Sequence, residues 1–284
     1  MAEVKGEHME QTQKIHGRID MAKIKKTGAV VLPSLFTIAN MAFGFFAIIS
    51  ASERNYVLAA WFILMSYVMD MLDGRVARLV HGESSFGVEI DSLSDWMSFG
   101  IAPAYLMYNF VLKDYGFWAY PVAFLYVLCG ALRLARFNLK AHFGESSKMY
   151  FQGLPIPAAA GILASFVLAY SMLEAEGNVR SIKLVMNQMP FVYGIIPFIM
   201  IALALLMVSS IPYAAFKQGN LLNPNSIKGL FLILSILFLI IAYPQDALFL
   251  FFSLYAISGL LALMYRALVF IRKPSDGERT RDEG

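Results

Sequence analysis

The sequence predicts an all-α polytopic membrane protein with about eight transmembrane helices. Three observations carry that expectation. The 284-residue chain is 58% hydrophobic and only 15% charged, with a mean hydropathy of +0.61; soluble domains carry roughly 25% charged residues. Its apolar residues are gathered into runs of about 20, the length that crosses a bilayer core. Its lysines and arginines alternate between sparse and dense across successive breaks, as the positive-inside rule requires of a chain that weaves through a membrane. The net charge of +3 is too small to indicate a nucleic-acid partner.

The runs fall at 28–51, 56–80, 90–112, 117–137, 155–173, 190–209, 227–243 and 246–270. Turn chemistry separates several of them: Ser52-Glu53-Arg54-Asn55, Lys113-Asp114-Tyr115-Gly116 and Tyr243-Pro244-Gln245-Asp246. Pro155 and Pro157 open the fifth run, where a helix tolerates proline. Residues 1–27 form a polar, basic N-terminal tail, 28–272 the transmembrane domain, and 273–284 a polar C-terminal tail. The single cysteine, Cys129, lies inside an apolar run and reads as a buried core residue.

With eight spans, 19 of the 23 lysines and arginines lie on the side of the N-terminal tail, and four (Arg54, Lys113, Arg180 and Lys183) on the other. This bias puts both termini on the cytoplasmic side of the cell membrane.

The same side receives an unusual window, "DMLDGRVARLVHGESSFGVEIDSLSD". Asp70 and Asp73 fall in the last turns of the second span, and Asp91 and Asp95 in the first turns of the third. A short loop, 81–86, joins them, so the two pairs face each other across a helical hairpin. Asp70, Asp73, Gly74, Ala77 and Arg78 share one helical face, as do Gly87, Asp91 and Asp95. A buried carboxylate costs about 2.5–3.5 kcal/mol on insertion scales, and four close together repel one another unless cations neutralise them. Hard divalent ions suit such oxygen ligands, and Mg²⁺ commonly shares carboxylates with substrate phosphates. Two ions could clamp a pyrophosphate, with Arg78 adding fixed positive charge.

The spacing Asp70-x-x-Asp73-Gly74-x-x-Ala77-Arg78, eight residues, then Gly87-x-x-x-Asp91-x-x-x-Asp95 resembles the signature of the CDP-alcohol phosphotransferases at every fixed position. The resemblance implies a six-helix core, a homodimer, two divalent ions (Mg²⁺ or Mn²⁺), and displacement of CMP from a CDP-linked lipid by an alcohol. It casts Asp70, Asp73 and Asp91 as metal ligands, and Asp95 as a general base that also binds metal. Asp70, Gly74, Ala77, Arg78 and Gly87 would form the CDP-binding surface. The stretches "LPSLFTIANMAFGF", "RLARFN" and "YFQGLPIPAAAG", and two helices beyond the six-helix core, are most similar to the phosphatidylserine synthase branch. That branch uses CDP-diacylglycerol and L-serine, and an archaeal lipid core would give archaetidylserine instead.

Four further residues are candidates for the acceptor or a lipid phosphate. Arg133 and Arg136, three apart at the cytoplasmic end of the fourth span, offer guanidinium groups; the bland alternative is interfacial anchoring. Asn138 and Gln152 follow in the next cytoplasmic segment. Asn40, well inside the first span, is a candidate for the nucleotide, although helix packing is the commoner role for such a group. Glycerol 3-phosphate or an inositol phosphate as acceptor would call for a denser basic cluster than Arg133, Arg136, Lys140 and Lys148 supply. A cation transporter would be expected to show broken helices near the midplane and often repeats; here the acids lie at one surface and no repeat is visible.

Overall fold

The computed structural model describes residues 33–80, 85–142, 150–174, 182–214 and 242–272. The first helix, α1 (Pro33–Ser52), ends in a turn whose chemistry is local. Ser52 Oγ donates to the Ile49 carbonyl at 2.7 Å, Arg54 takes a positive φ of 63°, and the Asn55 side chain accepts the Leu58 N–H at 3.3 Å. Asn55 therefore caps α2 (Tyr56–Val80).

The next run is continuous but not uniform. α3 (Ser85–Asp95) passes through a wider π-type turn, Trp96–Ile101, into α4 (Ala102–Phe110). A 3₁₀ segment, Leu112–Trp118, contains Gly116 at φ 58° and leads to α5 (Ala119–His142). Then come strand β1 (Tyr150–Gln152), α6 (Ile156–Glu174), short α7 (Lys183–Met186), α8 (Met189–Val208), strand β2 (Pro212–Ala214) and α9 (Pro244–Arg272).

Six of the described helices are long and apolar enough to cross a membrane: 33–52, 56–79, 112–140, 156–173, 189–208 and 244–261. The protein is a helical integral membrane protein. The expected third span is a composite of two short helices about a π-type turn. The expected seventh span, 227–243, lies outside the described residues except for 242–243, and both tails lie wholly outside them. A three-residue antiparallel pair, with Phe151 opposite Tyr213, interrupts the helical pattern between α5 and α9.

α6 is the central helix, packed against α2, α8 and α9. Its small residues explain that position. Ala158, Ala159, Ala160 and Ala164 are buried, and a Cβ on Gly161 would lie 2.6 Å from the Phe252 ring of α9. A Cβ on Gly130 of α5 would meet Ile156 at 2.7 Å. Close approach through small residues replaces the hydrophobic effect as the packing device within lipid.

Candidate active site

Three carboxylates, those of Asp70 on α2 and Asp91 and Asp95 on α3, each present an oxygen within 4.8 Å of the others. Asp73, only 5% exposed, stands one turn further along α2 in electrostatic contact with Asp91 and Asp70. The hairpin arrangement expected from spacing is therefore what forms. Among the described residues, a Cβ on Gly74 would meet only Arg78 Nη2, at 3.9 Å. Ala77 is half-buried, and Gly87 lies in the first turn of α3.

The acids are fixed by a scaffold that the sequence showed only in part. Asn40 is fully buried, and its Nδ2 donates to Asp95 Oδ1 at 3.1 Å. Its backbone carbonyl accepts both Ser66 Oγ (3.1 Å) and Ser98 Oγ (2.9 Å), and the Thr37 carbonyl accepts Ser94 Oγ at 3.1 Å. A Cβ on Gly44 would collide with Ser98, so α1 lies directly against the π-type turn. The turn is also tied to α5. The Trp96 indole donates to the Val127 carbonyl at 3.2 Å, and the Tyr126 hydroxyl to the Phe99 carbonyl at 3.2 Å. Asp95, the last residue of α3, is therefore held at the start of a segment anchored on both sides. Asn40 joins helices, through its carbonyl to Ser66 and Ser98 and through its amide to Asp95 on α3. Ser66, Ser94 and Ser98 could have been suspected, because small hydroxyls inside apolar runs often join helices.

On the α5 side, Arg133 is in electrostatic range of Asp95 and Tyr255, while Arg136 Nη1 donates to the Val208 carbonyl at the C-terminus of α8, at 2.7 Å. That contact satisfies one of the carbonyls a helix end leaves open. Asn138 Nδ2 donates to Ser92 Oγ on α3 at 2.9 Å, which joins α5 to the helix carrying Asp91. The backbone of Gln152 lies in β1, opposite Pro212; its side chain falls outside the described set. Tyr67, one turn before Asp70 and in electrostatic range of it, was not anticipated.

Does this arrangement suit divalent cations? Asp73 Oδ2 and Asp91 Oδ1 are buried without a hydrogen-bond partner among the described residues. Buried carboxylate oxygens without partners are costly, and several converging oxygens are the donor set that Mg²⁺ or Mn²⁺ takes. The residues fit a metal centre.

Comparison with known proteins agrees with this geometry. A sequence profile described as CDP-alcohol phosphatidyltransferase matches residues 30–206. The CDP-diacylglycerol–serine O-phosphatidyltransferase of Helicobacter pylori is 37% identical over 236 residues, covering 83% of this chain and 92% of that protein. The archaetidylserine synthase of Methanothermobacter thermautotrophicus is 38% identical over 196 residues, 66% of this chain and 72% of its own. The Bacillus subtilis CDP-diacylglycerol–serine O-phosphatidyltransferase is 35% identical over 162 residues, 56% and 89% respectively. With its signature aspartates converging between α2 and α3, and its match running from α1 to the end of α8, the chain belongs to the CDP-alcohol phosphatidyltransferase family.

Proposed function

We propose that this protein is a membrane enzyme that transfers the phosphatidyl group of CDP-diacylglycerol to the hydroxyl of L-serine, releasing CMP. The observation that carries the reading is the convergence of Asp70, Asp91 and Asp95 between α2 and α3. The relatives support serine in particular: those named for a diacylglycerol lipid and the one named for an archaeal lipid share serine in their names.

Asp70, Asp73, Asp91 and Asp95 would hold two divalent ions, Mg²⁺ or Mn²⁺. When bound, these ions offset charge on the pyrophosphate oxygens. Gly74, Ala77 and Gly87 leave the helix faces bare enough for the nucleotide, and Arg78 offers charge to a phosphate. Asp95 accepts the proton of the serine hydroxyl. The hydroxyl oxygen then bonds to the phosphorus bearing diacylglycerol, the bond from that phosphorus to the bridging oxygen breaks, and CMP leaves. The Asn40 amide on Asp95 Oδ1 orients the carboxylate for that task. Serine carries a carboxylate, and Arg133, in electrostatic range of Asp95, would receive it. Arg136, Asn138 and Gln152 complete this side as supports or lipid-phosphate contacts. The lysine and arginine bias puts the site on the cytoplasmic side. Resemblance alone supports a homodimer, which mass measurement in detergent tests.

The decisive assay incubates purified protein with CDP-diacylglycerol and Mg²⁺ and measures CMP. Serine should release CMP at a rate well above that with glycerol 3-phosphate or an inositol phosphate. Release that depends on a phosphorylated acceptor, and not on serine, would move the enzyme to another branch of the family.

A further inference from the structure

The profile match ends at residue 206, yet α9 (Pro244–Arg272), beyond it, packs against the central helix α6. The seat is close. A Cβ on Gly161 of α6 would meet the Phe252 ring at 2.6 Å, and Phe252 is only 4% exposed. Ala256 and Gly259, four and seven residues on, share that face of α9. The fully buried Tyr213 of β2 donates its hydroxyl to the Ala256 carbonyl at 3.2 Å, and a Cβ on Gly259 would collide with its ring. These contacts fix the rotation of α9 about its axis, and that rotation aims Phe252.

Phe252 meets Tyr67 of α2, ring to ring at 5.7 Å and nearly edge-on at 76°. Tyr67 in turn meets Phe99 of the π-type turn, at 6.3 Å and 72°. Both separations lie in the range of attractive edge-to-face pairs. Tyr67 precedes Asp70 by one turn and shares its face of α2, with Gly74 next along it. Phe99 follows Asp95 by four residues. The three rings therefore form a layer one turn further into the bundle than the acids, where α2 packs on the π-type turn. Their chain neighbours Ser66 and Ser98 both donate to the Asn40 carbonyl of α1, at 3.1 and 2.9 Å. Helix α1 thus ties this layer by hydrogen bonds, and α9 ties it by a ring.

We infer that Phe252 is a positioning residue: α9 holds Tyr67 against Phe99 and so sets the spacing of Asp70, on α2, from Asp91 and Asp95, on α3. Those three acids present oxygens within 4.8 Å of one another, and Mg²⁺ tolerates little departure from its preferred geometry. With a smaller side chain at position 252, Tyr67 loses one of these two rings, and the turn of α2 that leads to Asp70 gains freedom. The inference rests on the reading of the acids as a metal centre, and its test reads metal binding rather than turnover.

A double-mutant cycle on Mn²⁺ affinity tests it, followed by electron paramagnetic resonance of the purified protein with CDP present. Phe252→Leu should weaken Mn²⁺ binding about 5-fold, the scale of one ring pair. Tyr67→Leu should weaken it at least as much, and adding Phe252→Leu should then change almost nothing, because the ring it acts through is gone. Tyr67→Phe keeps the ring and should stay within about 2-fold of the wild type. Phe166→Leu makes the same change in a fully buried ring that packs on Phe110, away from the acids. It should lower Tm and leave Mn²⁺ affinity unchanged, as a structural role alone would. Should Phe252→Leu not elute as folded protein, Phe252→Met, whose flexible chain fills irregular gaps, takes its place in the cycle. Unchanged Mn²⁺ affinity in Phe252→Leu, or effects that multiply in the double variant, would overturn the inference and leave the metal centre standing. So would a Tyr67→Phe variant as impaired as Tyr67→Leu, since the hydroxyl rather than the packing would then matter. A wild type that binds no Mn²⁺ would remove the metal centre and this inference with it.

Discussion

At the end of the bundle where α2 begins, polar side chains are spent on the protein itself. Tyr56 donates to the Asn109 carbonyl (3.2 Å), Tyr115 to the Gly194 carbonyl (2.7 Å) and Tyr193 to Asp114 Oδ2 (2.9 Å). The rings of Tyr56 and Tyr193 pack with Phe110, which also meets Phe166, and Tyr170 stacks on Tyr193 at 4.8 Å. At the end where α2 finishes, the pattern reverses. Of the five buried side-chain polar atoms without a hydrogen-bond partner among the described residues, four lie here, Asp73 Oδ2, Asp91 Oδ1, Asn40 Oδ1 and Arg133 Nε, and one, Asp246 Oδ1, belongs to the other end. Inside lipid, an unpartnered polar group is a cost that folding alone does not justify. One end is built for stability and the other for a ligand.

Substitutions should separate the two ends. The largest effect is expected from Asp70→Asn or Asp91→Asn, which should leave less than about a tenth of wild-type CMP release, while size exclusion shows a folded protein. Chelation should stop the wild-type reaction, and Mg²⁺ or Mn²⁺ should restore it. Appreciable turnover in either variant would mean that the acids do not act as a shared centre.

Asp95→Asn should lower kcat by at least about 10²-fold, a typical share for a general base, and leave the affinity for CDP-lipid near wild type. Asn40→Ala should lower kcat in the same direction but less, because it removes an orienting contact and keeps the base. A parallel collapse of CDP-lipid binding in Asp95→Asn would make that carboxylate chiefly a metal ligand.

The smallest catalytic effect belongs to the aromatic end. Asp246, only 1% exposed, accepts the Ile182 N–H at 2.6 Å and so ties the start of α9 to the segment before α7. Asp246→Ala should cost about 1–3 kcal/mol by stranding that donor, read as a lower Tm in detergent, with both KM values unchanged. A changed serine KM would break the division between the two ends.

Much of the chemical end was legible in the sequence, because its logic is short-range. Spacings of three and four residues put Asp70 with Asp73, and Asp91 with Asp95, on single faces, and a short connection brings the faces together. The contacts that hold the acids in place were less legible, since they join residues far apart in sequence: Asn40 to Asp95, and Arg136 to Val208. The role of Asn40 could be narrowed to two options but not decided, because either partner satisfies the amide equally well. The break in the third span was missed for a related reason. A π-type turn keeps the same hydrophobic composition as an α-helix, and only the contacts of Trp96, Ser98 and Phe99 with α5 and α1 reveal it.

The central claim is that the acidic end is a two-metal centre. Titration of Mn²⁺ into purified protein with CDP present, followed by electron paramagnetic resonance, tests it most directly. The account predicts about two tightly bound ions per chain in the wild type and loss of at least one in Asp91→Asn. Equal Mn²⁺ binding by the wild type and Asp91→Asn would contradict it.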